Sequence, residues 1–429
     1  MTTALLAPPH LRGQLSTADS HSACATAIRR AASPGYRRWL DHVSSVHGCE
    51  RPIRLAGHLH TINPTTGEVS SSRSTESLPD GVIYVPCGDR RATVCPACAE
   101  TYRADTYHLI RTGLVGSKGV PDTVATHPVI FATLTAPTFG PVHTRVVDPK
   151  TDKVKPCRMR RSIERCPHGR VMACPHHHTE QSPCLGQPLC PQCYDYTGHA
   201  VWNAWASELW RRTTITTNRA LAKLGKTHGI KLRLAFAKVA EYQARGLIHF
   251  HALLRLDALD PHHPDTLLPP PAGITAADLD QALTHAVATK ATEVTGHTSK
   301  RLTAETIGLY TNKATHTGRL IRTCWTLSQR PDNAHPEQWK TTYGRLRRWA
   351  HMLGFGGQFT TKSRCYSTTR KALKAARRHW QRTRQHAKQF GTDVANCAEE
   401  TTLIVGALSF AGIGYRRTGD QWLALTAAA

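Results

Sequence analysis

The stretch EYQARGLIHFHALLRL, residues 241–256, leaves this chain few folds to choose from. Ahead of it, IKLRLAFAKVAEYQ (230–243) alternates apolar and polar residues, the period of a half-buried strand. GLIHFHALLRL then reads as the return strand. Between them Ala244, Arg245 and Gly246 make a three-residue hairpin loop with glycine at its left-handed position. Two long strands joined so tightly must pair antiparallel, and an antiparallel sheet becomes the frame of the domain.

That frame gives meaning to two histidines one residue apart. Successive strand side chains point to opposite faces. His249 and His251 therefore share one face, while Ile248, Phe250 and Ala252 turn to the other, into apolar packing. Symmetric pairing about Arg245 puts Glu241 opposite His249; a glycine bulge at the turn would shift this register by one. A lone histidine in a strand is most often a satisfied core or surface residue. Two imidazoles and a carboxylate in register instead form a metal site with open positions for water and substrate oxygens.

The chain carries 55 Lys and Arg against 30 Asp and Glu, a net charge of +25. Such an excess points to a polyanion, foremost nucleic acid. The visible basic clusters are CRMRRSIERC (157–166), GRLRRWAHMLG (344–354), TKSRCYSTTRK (361–371) and the helical run 370–390. No apolar run is long enough to span a membrane, and the first thirty residues lack the pattern of a secretory signal. The expected location is the cytoplasm, where clustered cysteines read as metal ligands rather than disulfides.

The 14 cysteines fall mainly into two groups. The first is Cys87, Cys95 and Cys98, with Cys49 as a distant fourth. The second is Cys166, Cys174, Cys190 and Cys193, with Cys157, Cys184 and the histidines 176–178 as alternatives. Each group holds a C-x2-C knuckle and a cysteine pair eight residues apart, the composition of closed structural zinc sites. Cys24, Cys324, Cys365 and Cys397 stand alone and read as unmetallated thiols. In VWNAWASELWRRTTITTNRALAKLG (201–225), Val201, Trp205 and Leu209 recur at helical spacing with Trp202 beside them, so these tryptophans belong to a core.

A metal beside a polyanion would polarise a phosphodiester, and LYTNK offers a nucleophile for it. Tyr310 and Lys313 lie at i, i+3 on one face of an expected helix (304–315). Tyrosine attack at phosphorus gives an ester that retains the energy of the broken bond. Alone, Tyr-x-x-Lys is an ordinary helix surface; it gains weight from the histidine pair upstream.

The order FATLT (131–135), HFH (249–251) and YTNK (310–313) resembles the three motifs of HUH endonucleases, Phe250 being the hydrophobic residue between the histidines. Longer segments, among them HPVIFATLTAPTFGPVHTR, GQPLCPQCYDYTGHAVWNAWASELWRRT and RWAHMLGFGGQFTTKSRCYSTTRK, are similar to replication initiators of actinomycete rolling-circle plasmids and integrative elements. The likeness covers most of residues 45–425. It implies nicking of one strand at the double-strand origin, with Tyr310 joined to the 5′ phosphate and a free 3′-OH left to prime synthesis. It also implies Mg²⁺ or Mn²⁺ on His249 and His251, with Glu241 as third ligand, and host helicase and polymerase as partners. Relatives often carry two tyrosines in a pattern like YIAKYATK; here the earlier positions are Thr306 and Leu309, so only Tyr310 with Lys313 remains.

The expected fold class is α+β: an antiparallel sheet flanked by helices, the HUH endonuclease fold, with cysteine-rich zinc modules and a basic helical C-terminal region. The expected division is a flexible leader (1–40), a zinc-binding module (41–125), a nuclease domain (126–330) with a cysteine-rich insertion at about 145–196, and the C-terminal region (331–429). Two rivals are a single-strand transposase of the same chemistry and a non-catalytic zinc-dependent DNA-binding regulator, which needs neither Tyr310 nor the histidine pair.

Overall fold

The computed structural model describes residues 17–62, 66–263, 266–295, 301–302, 314–329, 342–390 and 403–428. In chain order the first elements are α1 (Thr17–Ala31), α2 (Tyr36–Ser44), β1 (Ile53–Ile62), β2 (Val69–Ser74), β3 (Ile83–Val85), α3 (Pro96–Val115) and β4 (Val129–Leu134). Then come α4 (Tyr196–Thr227), β5 (Lys231–Tyr242), β6 (Ile248–Leu259), β7 (Leu267–Leu268), α5 (Ala276–Thr295) and β8 (Arg301–Leu302). The last are α6 (Ala314–Leu327), α7 (Thr342–Trp349), β9 (Thr360–Lys362), α8 (Arg370–Phe390), β10 (Leu403–Ile413) and α9 (Thr418–Ala428). Two compact units result: Met1–Leu109 with Thr369–Ala429, and Ile110–Thr368.

The first unit corrects two expectations. Residues 17–44 are not a leader but two helices, and α1 packs against α9. Ala23 and Ala27 are buried on α1, and Trp422 is buried on α9. Small residues let the two helices approach closely, and Arg30 ties them by an ion pair to Asp420. The leader's first sixteen residues lie outside the described ones. Nor is the C-terminal region simply helical: β10, rich in apolar and β-branched residues, pairs antiparallel with β1 along its length. The order β10–β1–β2, with β3 also on β1, makes a four-stranded sheet.

The second unit holds a six-stranded antiparallel sheet in the order β8–β4–β6–β5–β9, with β7 attached to β6. The histidine strand β6 is therefore internal. Its even-numbered residues Ile248, Phe250, Ala252, Leu254 and Leu256 join Trp210 and Leu221 of α4 and Leu279 and Leu283 of α5 in one buried cluster. Burying each such side chain contributes roughly 1.5–3 kcal/mol. The buried stripe of α4 runs through Trp202, Ala206, Leu209, Trp210 and Leu221, while Val201 and Trp205 sit half-buried at its edge.

The other face of the sheet is divided along its length. Farther from the turn it is covered: Leu253, Ala235 and Ala237 pack with Tyr366 and Ile110. Arg255, fully buried there, pairs through two nitrogens with Asp257 at 2.6 and 3.0 Å and donates to the carbonyls of Gly113 and Tyr366. His127 Nδ1 lies 2.8 Å from the same carboxylate. Nearer the turn, this face carries Glu241, His249 and His251.

Candidate functional site

The hairpin register is the symmetric one. Glu241 stands opposite His249, Val239 opposite His251, and Tyr242 opposite Ile248. Gly246 takes φ +81°, and the Gln243 amide donates to the Leu247 carbonyl at 2.9 Å to close the loop. From α4, the buried Asn203 clamps the turn. Its side-chain oxygen accepts the Ile248 amide at 3.0 Å, and its nitrogen donates to the Gly246 carbonyl at 3.0 Å. Trp202 Nε1 donates to the Ile248 carbonyl at 3.1 Å. The tryptophan assigned to the core thus also holds the histidine strand.

Glu241 Oε2 lies 3.3 Å from Nε2 of His249 and 3.3 Å from Nε2 of His251. The two rings meet edge to face with centroids 4.6 Å apart. Burial pushes the His249 imidazole below its ordinary pKa, His251 adding to the effect while Glu241 opposes it. A neutral ring with a free lone pair is the form that binds metal. Both outer nitrogens have partners. Thr133 Oγ1 on β4 is 3.1 Å from His251 Nδ1, and Gln243 Nε2 is 3.2 Å from His249 Nδ1. Such contacts fix ring orientation at metal centres. Phe131, two residues before Thr133, stacks on the His251 ring at 5.7 Å and 8° while staying 48% exposed.

The donor set fits a divalent cation. His251 Nε2 is buried without a hydrogen bond, with the Glu241 oxygen 3.3 Å away. A cation shared by the three groups satisfies that orphaned atom, and a carboxylate with two imidazoles suits Mg²⁺ poorly to moderately and Mn²⁺ well. Gln243, Thr133 and Phe131 had no assigned role in the sequence reading. Thr133 and Phe131 were within FATLT, whose position beside the histidines depends on β4 pairing with β6.

Among the described residues three further clusters are built on cysteine, two of them with histidine, each with its donor atoms within 4.8 Å of one another. The first is Cys49, Cys87, Cys95 and Cys98, set in the core of the first unit beside Trp39 and Tyr84. Its sulfurs stand 3.7 Å apart between Cys87 and Cys98 and 3.8 Å between Cys95 and Cys49. These lengths exclude disulfides. They match the edge of about 3.8 Å that a tetrahedron with Zn–S bonds of about 2.3 Å requires. The backbone N–H of Cys87 donates to the Cys49 sulfur at 3.3 Å.

The second cysteine group does not close as expected. Cys174 leaves Cys166, Cys190 and Cys193, whose fourth member is His168. Cys174 instead joins His143, Cys157 and His178. The reason is local pairing: Arg158 and Cys174 exchange backbone hydrogen bonds at 2.8 and 3.0 Å, which brings Cys174 beside Cys157. Cys184, one of the alternatives, lies 3.5 Å from His178 Nδ1, the nitrogen away from the Cys174 side. His143 and His168 were missed; the only sequence signal was Cys-x-His in CPHGR, and nothing marked His143. Of the solitary cysteines, Cys24 and Cys324 are buried in apolar clusters, Cys365 is half-buried and Cys397 lies outside the described residues.

A family model described as "Replication initiator protein, pSAM2" matches residues 35–289 and 287–429. The chain belongs to this replication initiator family. A relative named "Replication initiator protein" from Streptomyces ambofaciens is 34% identical, the alignment covering 94% of this chain and 92% of the relative. No solved structure matches. The initiator's helices and antiparallel sheets agree with the α+β expectation, and no helix among the described residues is long and apolar enough to cross a membrane. Tyr310 and Lys313, with Thr306 and Leu309, lie outside the described residues.

Proposed function

We propose that this replication initiator is an HUH-type nickase that opens one strand of its double-strand origin by tyrosine attack. The observation that carries the reading is the convergence of Glu241 Oε2 with Nε2 of both His249 and His251 on an otherwise covered sheet face. Glu241, His249 and His251 would hold Mg²⁺ or Mn²⁺, which supplies Lewis-acid polarisation of a phosphodiester oxygen. The Tyr310 oxygen forms a bond to phosphorus and loses its proton. The 3′ oxygen leaves and gains one, giving a free 3′-OH and a 5′-phosphotyrosine link. Lys313 holds the phosphate or eases formation of the phenolate. Zinc in the cysteine clusters serves folding and DNA docking, since a closed site has no position for substrate. Host helicase and polymerase would act on the primed strand, in the cytoplasm.

A supercoiled origin plasmid incubated with the protein and Mn²⁺ tests this. Open circles with protein on the 5′ end are expected, and Tyr310→Phe should abolish them while leaving DNA binding intact. Wild-type nicking by that variant would remove the nucleophile, and nicking by the His249→Ala, His251→Ala double variant would remove the metal. Binding without nicking under any divalent metal would favour the zinc-dependent regulator.

A further inference from the structure

Between β4 and α4, residues 135–195 contain no helix and no strand beyond isolated bridges. A loop of that length in a compact domain needs another source of order. At its ends Ala136, Phe139, Val142 and Tyr194 pack on Trp202, Leu209 and Leu247, but between them apolar packing is thin: Cys157, Cys174 and Leu189 form a small buried cluster with Met172 beside them. Met159 and Ile163 are 66% and 77% exposed. What the segment has instead is two donor clusters, and their order along the chain alternates. His143 and Cys157 belong to one, Cys166 and His168 to the other, then Cys174 and His178 to the first, and Cys190 and Cys193 to the second.

The spacings fit two tetrahedral zinc ions. Bonds of about 2.3 Å to sulfur and 2.0–2.1 Å to nitrogen give edges of about 3.6 Å for S···N and about 3.4 Å for N···N. In the first cluster His143 Nδ1 and His178 Nε2 are 3.3 Å apart, with Cys174–His178 at 3.4 Å and Cys157–His143 at 3.8 Å. In the second, His168 Nδ1 lies 3.2 Å from Cys193 Sγ and 3.7 Å from Cys190 Sγ. Cys157 accepts the Thr144 amide at 3.2 Å.

The segment also reaches the histidine hairpin. Gly186, at φ +78°, leaves so little room that an added Cβ would stand 2.6 Å from the Ala244 carbonyl carbon. Tyr194, next to the ligand candidate Cys193, sets its hydroxyl 2.9 Å from His199 Nδ1 on α4. Arg245 Nε donates to Gln243 Oε1 at 3.0 Å. With its oxygen so engaged, Gln243 turns its amide nitrogen to His249 Nδ1 at 3.2 Å.

We infer that residues 141–195 form a cross-braced module holding two zinc ions, one on His143, Cys157, Cys174 and His178 and the other on Cys166, His168, Cys190 and Cys193. Interleaving makes each ion close a loop that contains ligands of the other, so the module folds as one body around its metals. The zinc module does not depend on the proposed metal role of His249.

Zinc analysis of the full chain should find three ions, one for each cysteine cluster. His143→Ala and His168→Ala should each leave no more than two. Two ions in the wild type, untouched by either substitution, would overturn the module. The zinc count does not depend on nicking, so loss of the nickase reading would not be mistaken for loss of this one.

Discussion

Phe131 stands out because an aromatic ring on a sheet face is normally covered, and this one is half exposed beside the candidate metal ligands. Its inner side lies flat on His251, so its outer side offers a π-face to a base of an unpaired strand. Stacking of one base on such a ring contributes about 1–3 kcal/mol. Phe131→Ala should therefore weaken binding of a single-stranded oligonucleotide spanning the nick site by about 5- to 150-fold. Thermal stability should change little, because the ring's outer side buries nothing. Fluorescence anisotropy beside a melting curve measures both, and unchanged affinity would exclude the platform. Phe131 itself was within reach of a sequence reader, but its meaning was not: its strand meets the histidines only through β4–β6 pairing across more than a hundred residues.

At the scale of elements, legibility follows sequence separation. The β5–β6 hairpin was readable because its period, turn glycine and register are all local. The cysteine partners were not, since backbone pairing at Arg158 and Cys174 decides them rather than spacing. The four-stranded sheet was hidden for the same reason, its central pairing joining residues 53–62 to residues 403–413. Asp80 shows how such distant elements are fastened. It accepts from Arg30 of α1 at 2.7 Å, from Trp39 of α2 at 2.8 Å and from the Tyr84 hydroxyl of β3 at 3.0 Å. Burial opposes its ionisation, but these donors outweigh it and hold the carboxyl below its ordinary pKa. Asp80→Asn keeps the left-handed backbone at φ 61°, which asparagine tolerates, but turns one donor end of the amide toward a donor. A loss of about 2–3 kcal/mol is expected in denaturant unfolding. The sign with pH follows from a folded pKa lower than the unfolded one. The carboxylate's contribution is present above about pH 3.9 and is lost as pH falls through the folded value. The variant should therefore lose most relative to wild type near neutrality and converge with it in acid; a deficit independent of pH would show that the charge is not what fastens these elements.

For the whole molecule, a charge of +25 invites the conclusion that every basic run meets DNA, yet α8 divides its cations between two tasks. Arg377 pairs with the buried Asp105, and Arg370 donates to Thr106 Oγ1 at 2.6 Å while its guanidinium covers the Tyr102 ring at 4.0 Å. These two arginines hold α8 to α3. Lys371, Lys374 and Arg378 are exposed and remain available for phosphate. Each phosphate contact contributes about 0.9 to the slope of log affinity against log salt. If all three contact DNA, replacing them with alanine should flatten that slope by about 2.7 and weaken binding at low salt, with the melting temperature nearly unchanged. Arg377→Ala should do the reverse. It strands a buried carboxylate, so it should cost about 3 kcal/mol or more of stability while leaving the salt slope of the folded protein within one phosphate contact of wild type. Titrations at several salt concentrations, paired with unfolding curves for both variants, separate the two roles; a triple variant with the wild-type slope would move the DNA-binding face away from α8.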